Sequence, residues 1–402
     1  MNILFVASFA PSLIKFRKDL IISLINKGNK VFTICPMDKH PEIKKKLQEL
    51  GVYVFSIKMD RGALSPFKSI GLINEIYKKI KFIRPKSIFS YTIKPVIFTG
   101  IALFFYRLIE NKIKIKYIVL ITGLGYVFTK GNNFFKRFFL RLIVKLIYKI
   151  SLTSANQIIF QNKDDMVFFK EMNLLPKNTK LNVVNGSGVN LSEFRKSKTP
   201  KKPIFLMLAR LLKDKGLVEY IEAARIVKSK RKDVIFRLGG FYDHNNPSTI
   251  SNDEFIKLKS DPCIEYLGEV KDVKSEISKC KFYVLPSYRE GTPRSVLEAL
   301  ATGRPIITTN APGCNQTVIN RINGIKINPR NSNDLANAMF ELIGKTYDSV
   351  YEGNKICRSY MHAPEVDSYI VLDHEPHLAE GSECKVQLTG ISGYDFTGKV
   401  IG

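Results

Sequence analysis

Two glutamates, Glu290 and Glu298, lie eight positions apart where an apolar run gives way to a helical pattern. The run 282–286 predicts a buried strand, and residues 293–302, with proline first and Gly303 after the last residue, predict a helix. Glu290 therefore lies in the connecting loop and Glu298 on the helix. In α/β folds the carboxyl end of a parallel strand and the N-terminus of the next helix bind phosphorylated ligands. A loop carboxylate can hold sugar hydroxyls there, and a helical carboxylate can hold a ribose diol.

A basic segment earlier in the chain has the residue types that a diphosphate requires. Residues 209–216 read Ala-Arg-Leu-Leu-Lys-Asp-Lys-Gly and connect another predicted strand to a helix. Arg210 and Lys215 supply cations, and the N–H groups of a helix N-terminus add partial positive charge. The alternative to a diphosphate site is an ordinary basic loop exposed to solvent. For Lys213, exposure to solvent is the better interpretation.

The net charge of the chain limits the kinds of molecule that it is expected to bind. The 402-residue chain carries a formal net charge of +27, and such a field attracts nucleic acid, acidic lipid or phosphorylated substrates. The charge is uneven, because residues 357–402 hold three Lys/Arg and seven Asp/Glu, which leaves +31 on the preceding residues. The length predicts at least two domains.

Membrane-spanning and disulfide-linked classes are not favoured. No apolar run reaches the ~18 residues that a spanning helix needs, and we interpret the run 1–7 as a first strand rather than a signal peptide. Six cysteines show no paired spacing, which predicts reduced thiols in a cytosolic protein. The sequence also has no His-rich or Cys-x-x-Cys metal motif.

Short apolar runs alternate with longer helical patterns, which predicts an α/β fold with parallel sheets covered by helices on both faces. The pattern fills residues 1–185, breaks at a linker over 186–202 and restarts over 203–348. The strands predicted in the first part are 3–7, 31–34, 52–56, 87–91, 117–121, 157–160 and 182–184. Those predicted in the second part are 204–208, 234–238, 264–267, 282–285, 306–308 and 324–327.

The character of the chain changes over residues 349–402. Helical periodicity stops, the charge turns negative and short alternating strands appear. The pieces 363–367 (Ala-Pro-Glu-Val-Asp) and 394–398 (Tyr-Asp-Phe-Thr-Gly) resemble the end of the TRAM domain of ribosomal protein S12 methylthiotransferases. We therefore expect a partial TRAM-like, β-rich tail that lacks its opening strand. We interpret it as a segment joined from another family, with a natural accessory domain as the alternative.

The two-glutamate segment, read with four others, resembles the signature of family 4 glycosyltransferases, which have the GT-B fold. The segments are 1–17, 121–129, 187–190, 209–216 and 287–298. They are similar in particular to bacterial enzymes that add an N-acetylhexosamine to a polyprenyl-diphosphate-linked sugar. The resemblance covers residue 1 to about 345 and implies two Rossmann-like domains facing a cleft, an acceptor domain over 1–185 and a nucleotide-sugar domain over 203–348.

The resemblance also implies roles for single residues. Arg210 and Lys215 would grip the donor diphosphate, and Glu298 would bind the ribose hydroxyls. Glu290 would contact the donor sugar, so that Glu290, Arg210 and Lys215 are the predicted catalytic residues. The other predicted donor-site residues are Gly268, Val270, Gly291, Thr292, Pro293 and Arg294. For the loop around Gly268, which would read the nucleobase, a simple turn glycine is the alternative.

Candidates for the acceptor side or the cleft come from the first half of the chain. They are Ser12, Arg17, Lys94, Gly123 and Gly125. Arg17 and Lys94 would touch an acceptor phosphate, with solvated or structural roles as the alternative. Within 132–150, basic residues recur every four positions among aromatic and aliphatic ones, which fits a helix on an anionic membrane surface. A core helix with a basic outer face is the other interpretation of that segment.

Taken with these residues, the resemblance implies a retaining glycosyltransferase. It would move a sugar, N-acetylhexosamine, from a UDP-sugar to a lipid-linked or polysaccharide-precursor acceptor at the cytoplasmic face of the plasma membrane. We expect no cofactor or metal besides the nucleotide sugar, and no nucleic acid partner. A UDP-sugar 2-epimerase of the same fold is one alternative, although its cleft acids and histidines are not evident. An RNA-binding or methylthiotransferase-related protein is the other alternative. Methylthiotransferase chemistry needs three clustered cysteines for an iron–sulfur cluster, and the six cysteines of this chain are not clustered.

Overall fold

The chain folds into two compact units, Met1–Ser187 and Gly188–Gly402. The computed structural model describes residues 1–59, 66–110, 114–123, 145–243, 246, 248–344, 346–351, 354, 356–359, 370–392 and 395–401. Within these residues, no helix is both long and apolar enough to cross a membrane.

A seven-stranded parallel sheet forms the first unit, in the order β3-β2-β1-β4-β5-β6-β7. The strands are β1 (Asn2–Val6), β2 (Lys30–Cys35), β3 (Tyr53–Ser56), β4 (Ser87–Tyr91), β5 (Lys116–Ile121), β6 (Gln157–Phe160) and β7 (Lys180–Val183). The helices are α1 (Pro11–Asn26), α2 (Pro41–Glu49), α3 (Pro66–Ile83), α4 (Ile93–Glu110) and α5 (Lys163–Glu171), and residues 145–152 are also helical. The strand order reverses between β1 and β4, which is where sheets of this kind bind ligands.

Helices cover both faces of this sheet, as its nearly continuous apolar strands require. On one face α1 and α2 contribute Leu13 and Leu47 to the core. On the other face α4 contributes Leu103, and the helical residues 145–152 contribute Tyr148. Burial of the strands on both sides explains why the apolar runs could be recognised in the sequence.

The second unit contains a six-stranded parallel sheet, in the order β10-β9-β8-β11-β12-β13. The strands are β8 (Ile204–Leu208), β9 (Ile235–Gly239), β10 (Glu265–Tyr266), β11 (Phe282–Leu285), β12 (Ile306–Thr309) and β13 (Gly324–Ile327). The helices are α6 (Leu217–Lys230), α7 (Asn252–Lys259), α8 (Val273–Lys279), α9 (Arg294–Ala301) and α10 (Ser332–Gly344). Phe205 on the central strand stacks on Phe236 and Phe282 of its two neighbours, with ring centroids 5.4 and 4.7 Å apart. The two helix-covered parallel sheets confirm the predicted α/β class.

A small closed barrel follows α10 directly. Its strands are β14 (Thr346–Tyr351), β15 (Ile356–Ser359), β16 (Ile370–Leu372), β17 (Glu383–Ser392) and β18 (Asp395–Val400). The expectation of an incomplete barrel without an opening strand is therefore wrong. The strand Thr346–Tyr351 opens the barrel and pairs antiparallel with both β15 and β17. The sequence does not mark this strand as a separate element, because it begins only two residues after the end of α10.

The barrel packs against the amino end of the second sheet. Strand β17 contacts α10, and Lys281, the residue before β11, is close enough to Asp373 and Lys399 to be affected by their charges. Burial lowers the pKa of Lys281, Asp373 raises it and Lys399 lowers it. Because the strands of this sheet run parallel, their carboxyl ends lie on the opposite edge.

Candidate active site

Lys215 and Glu290 meet at the carboxyl edge of the second sheet, although they are 75 residues apart in the chain. Lys215 ends a short 3-10 turn after β8, and Glu290 lies in the loop between β11 and α9. Lys215 Nζ lies 2.5 Å from Glu290 Oε1, and Ser287 Oγ donates to the same oxygen at 2.8 Å. Both charged side chains are shielded, with 18% and 16% of their surface exposed. Two of the predicted catalytic residues thus form a charge-assisted contact.

The two loops that carry this pair approach so closely that only glycine fits between them. Gly216 has a φ of +73°, and a Cβ atom there would lie 2.2 Å from the carbonyl oxygen of Pro286. Beside it, the N–H of Tyr288 donates to the carbonyl oxygen of Asp214 at 2.9 Å. A side chain at position 216 would push the loops apart. This glycine therefore sets the distance at which Lys215 reaches Glu290.

Gly313 supports the same loop from its other side, and sequence reasoning missed it. Its φ is +77°, and a Cβ atom there would lie 2.0 Å from the carbonyl oxygen of Glu290. The N–H of Glu290 in turn donates to the carbonyl oxygen of Pro312 at 3.0 Å. The available signal was the Pro-Gly pair just after β12, a turn marker at the carboxyl end of a predicted strand.

Asp214 is a second carboxylate beside the pair that sequence reasoning did not single out. Burial raises the pKa of its carboxyl, while Lys215 lowers it, Glu290 raises it and Arg210 lowers it. Its Oδ1 atom is buried without a hydrogen-bond partner among the described residues. The positive charge of Lys215 therefore acts on two acids at once.

Arg210, the third predicted catalytic residue, lies at the end of β8 on the same edge of the sheet. Its Nη1 atom donates to Asp243 Oδ2 at 3.1 Å, and 40% of the side chain is exposed. Asp243 lies in the loop after β9, so a residue that follows the neighbouring strand orients the guanidinium. The backbone beside it is tightly packed, because a Cβ atom on Gly240 would lie 1.7 Å from the carbonyl oxygen of Ala209.

Glu298 lies on α9, as the sequence predicted, and it is 9% exposed. Arg294 Nε donates to Glu298 Oε1 at 2.8 Å, one helical turn away. Pro293 precedes the first helical residue, and Gly303 after the helix has a φ of +80°. The predicted donor-site residues Gly291 and Thr292 lie in the loop that leads into this helix.

Gly268 and Val270 also lie at the carboxyl edge of the sheet, after β10. Gly268 has a φ of +67°, and its carbonyl oxygen accepts from the N–H of Gly240 at 2.8 Å. A Cβ atom on Gly239 would lie 2.6 Å from the side chain of Val270. The structure therefore brings the predicted donor-site segments of β8, β10 and β11 to one edge. A nucleobase-reading role for the loop after β10 stays a prediction.

The candidates of the first unit gather at the carboxyl end of its own sheet. Ser12 is buried and bonds to Tyr91 Oη at 2.8 Å. Arg17 is 7% exposed, donates to Ser187 Oγ at 3.0 Å and lies with its guanidinium carbon 4.9 Å from the centre of the Tyr91 ring. These contacts support the structural alternative for Arg17.

Two further candidates of the first unit lie near the same edge. Lys94 is in the first turn of α4, just after Thr92, which has a φ of +67°. Gly123 follows β5 with a φ of +138°. Gly125 lies outside the described residues, as does the part 132–144 of the predicted membrane-binding segment. An acceptor role for these residues stays a prediction. In the described part of the chain, no group of three or more His, Cys, Asp or Glu is placed to hold a metal ion.

Known families match almost the whole chain. The model of the family "Glycosyl transferases group 1" matches residues 190–350, and that of "Glycosyl transferase 4-like" matches residues 2–162. The N,N'-diacetylbacillosaminyl-diphospho-undecaprenol alpha-1,3-N-acetylgalactosaminyltransferase of Campylobacter jejuni is 31% identical over 351 residues, which cover 84% of this chain and 88% of the relative. The chain belongs to the group 1 glycosyltransferases. This membership confirms the family that the two-glutamate segment predicted.

Other matches agree with this glycosyltransferase membership. The UDP-Gal:alpha-D-GlcNAc-diphosphoundecaprenol alpha-1,3-galactosyltransferase of Escherichia coli is 28% identical over 239 residues, 54% of this chain and 60% of the relative. The structure of Alr3699/HepE from Anabaena in complex with UDP and glucose superposes with a TM-score of 0.61 at 17% identity, covering 85% and 90% of the two chains, and supports the GT-B fold. A TRAM domain model matches residues 343–401, which confirms the recognition of the tail.

Proposed function

We propose that this glycosyltransferase moves an N-acetylhexosamine from a UDP-sugar to a sugar carried on a polyprenyl diphosphate, with retention of anomeric configuration. The observation that carries the proposal is the Lys215–Glu290–Ser287 cluster at the carboxyl edge of the second sheet. A lysine and a carboxylate shielded together on a strand-to-helix loop suit a ligand with both phosphate and hydroxyl groups.

The donor site in this proposal uses residues of the second unit. Arg210 and Lys215 bind the diphosphate, and Glu298 accepts hydrogen bonds from the ribose hydroxyls. Glu290 accepts from hydroxyls of the transferred sugar. The preference for UDP is supported by the names of the Escherichia coli relative, which uses UDP-Gal, and of the Anabaena neighbour, which holds UDP.

Retention follows from a reaction on one face of the sugar. The bond from the anomeric carbon to the diphosphate oxygen breaks, and a bond to the acceptor hydroxyl oxygen forms on the same face. The hydroxyl proton passes to the departing diphosphate, so no enzyme nucleophile is needed. Arg210 and Lys215 stabilise the negative charge that grows on the diphosphate, which is the kind of electrostatic effect that contributes most to many enzymes. With two cations supplied by the protein, we propose that no metal ion is required.

A lipid-linked acceptor is supported by the names of two relatives, both of which include diphospho-undecaprenol. The charge of the chain fits this substrate, because the residues before 357 carry +31 and an anionic membrane surface attracts such a protein. In the described part of the segment 132–150, Lys149 and Leu146 are exposed on helical residues. We propose that the enzyme works at the cytoplasmic face of the membrane without spanning it.

The proposal is tested by a transfer assay with UDP-N-acetylgalactosamine, UDP-N-acetylglucosamine and UDP-galactose, in the presence of EDTA. The acceptor is an N-acetylhexosamine on a short-chain polyprenyl diphosphate. We expect turnover with an N-acetylhexosamine donor and an α-linked product, identified by its small anomeric coupling constant in NMR. A β-linked product would contradict retention, and conversion of the UDP-sugar without transfer would support the epimerase alternative.

A further inference from the structure

The loop that carries Glu290 is tied to helix α6 by a contact that takes no part in the reaction as proposed. Tyr288 lies two residues before Glu290, and its Oη donates to Glu219 Oε1 at 2.5 Å. Glu219 is in the first turn of α6, three residues after Gly216. The loop and the helix are thus joined at the glycine contact and again at this side-chain bond.

Glu219 is an unusual residue for a simple surface contact. Only 7% of it is exposed, and its second oxygen, Oε2, has no hydrogen-bond partner among the described residues. A buried carboxylate is costly unless hydrogen bonds or positive charge compensate it. The Tyr288 hydroxyl supplies one bond, and the N-terminal end of α6 supplies the favourable end of the helix dipole.

Arg330 completes the arrangement from a third segment. It follows β13 with a φ of +62°, and its guanidinium carbon lies 4.7 Å from the centre of the Tyr288 ring. A cation over an aromatic face is attracted to it. Burial and the carboxylate of Glu219 raise the pKa of Tyr288, so the phenol keeps its proton and donates at neutral pH.

We propose that Tyr288 and Glu219 are positioning residues, which hold the 286–293 loop so that Glu290 lies where the donor sugar is bound. This inference rests on the proposed function of Glu290. Two hydrogen bonds fix Tyr288 at both ends. Its backbone N–H donates to the carbonyl oxygen of Asp214, and its hydroxyl donates to Glu219. Loss of the hydroxyl removes the donor to the buried Glu219. Among the described residues, it leaves the N–H bond to Asp214 as the remaining hydrogen bond from Tyr288 to this region.

The test is Tyr288→Phe, which removes one oxygen and keeps the ring under Arg330. Displacements of about 1 Å in a catalytic group can lower rates by about a hundredfold. We therefore expect kcat to fall by roughly tenfold to a hundredfold, while KM for the UDP-sugar stays within about threefold, because Arg210 and Lys215 are untouched. Amide hydrogen exchange in 286–293 is expected to accelerate in the same variant.

Matched variants separate positioning from stability. Tyr220→Phe removes a hydroxyl one residue from Glu219, where it bonds to the carbonyl oxygens of Phe205 and Arg237 in the core, and should lower Tm without changing kcat. Glu219→Gln keeps an acceptor for Tyr288 and should retain most of the wild-type kcat, whereas Glu219→Leu should match Tyr288→Phe.

If the wild type transfers sugar in the assay, three results would overturn the inference. They are an unchanged kcat in Tyr288→Phe, an equal loss in Tyr220→Phe, and equal activities of Glu219→Gln and Glu219→Leu. A wild type that binds UDP but transfers no sugar would instead reject the proposed function. Hydrogen exchange in the loop would still report whether Tyr288 and Glu219 hold it.

Discussion

Replacing Glu290 by glutamine is expected to lower kcat by about a hundredfold or more, with UDP affinity changed by less than about fivefold. Glu290 Oε1 accepts hydrogen bonds from both Lys215 Nζ and Ser287 Oγ. The carboxylate therefore holds these two side chains in place as well as contacting the proposed sugar. An amide has the same shape but no negative charge, and it holds the lysine and the sugar hydroxyls less strongly. The measurement is steady-state kinetics with the preferred UDP-sugar, together with calorimetric titration of UDP.

The chain offers a closely matched control for this variant. Glu341 on α10 is 15% exposed and pairs with Arg321 at 3.4 Å, but it belongs to no predicted site. We expect Glu341→Gln to keep wild-type kcat. Comparable losses in the two variants would mean that general destabilisation explains the effect, and wild-type activity in Glu290→Gln would remove Glu290 from the catalytic residues.

Replacing Lys215 by methionine is expected to weaken UDP binding by roughly tenfold to a hundredfold, because hydrogen bonds to charged groups contribute about 1.5–3 kcal/mol. The variant also removes the cation next to two carboxyls, Glu290 and Asp214. Since Lys215 lowers the pKa of Asp214, that pKa should rise in the variant. We therefore expect kcat to fall as well, and its loss on acidification to begin at a higher pH than in the wild type, because Asp214 gains its proton earlier as the pH falls.

Lys213→Met is the control, since this lysine lies two residues earlier in the same 3-10 turn. Its side chain is 50% exposed and pairs with Glu254 at 2.9 Å, away from Glu290. Binding and turnover should stay within about twofold of the wild type. If both lysine variants lost affinity equally, a diffuse basic surface rather than a defined diphosphate site would account for binding.

Much of the site was predictable because its residues follow strands that are buried on both faces. Such strands stand out as apolar runs, and the loop after each one reaches the same edge of a parallel sheet. The structure has Arg210, Lys215, Glu290 and Glu298 in the loops and the helix that the sequence predicts. Most strands of both sheets also agree with the predicted ones within two residues.

Two hydrogen-bond partners at this edge could not be read from the sequence, because each lies far away in the chain from the residue that it contacts. Asp243 accepts a hydrogen bond from Arg210, 33 residues away in the chain. Glu219 accepts one from Tyr288, 69 residues away. Neither acid belongs to a motif, and each is ordinary in its own helix or loop. Such hydrogen bonds depend on the order of the strands in the sheet, which the periodicity of apolar residues in the sequence does not determine.

The tail shows a different limit. Recognising its family did not reveal its complete barrel, because strand Thr346–Tyr351 follows α10 after a single residue and is defined only by pairing with β15 and β17. The barrel lies at the amino end of the second sheet, opposite the edge that carries Lys215 and Glu290. We therefore expect the donor site to form in the full chain.

Calorimetric titration of UDP into the metal-free full chain tests the central claim, a donor site at the carboxyl edge of the second sheet, most directly. The account predicts saturable binding of one UDP per chain, weakened about tenfold or more in Glu298→Ala, which loses the proposed ribose contact, and unchanged in Glu341→Ala. Absence of binding by a folded wild type, or equal affinity in wild type and Glu298→Ala, would contradict it.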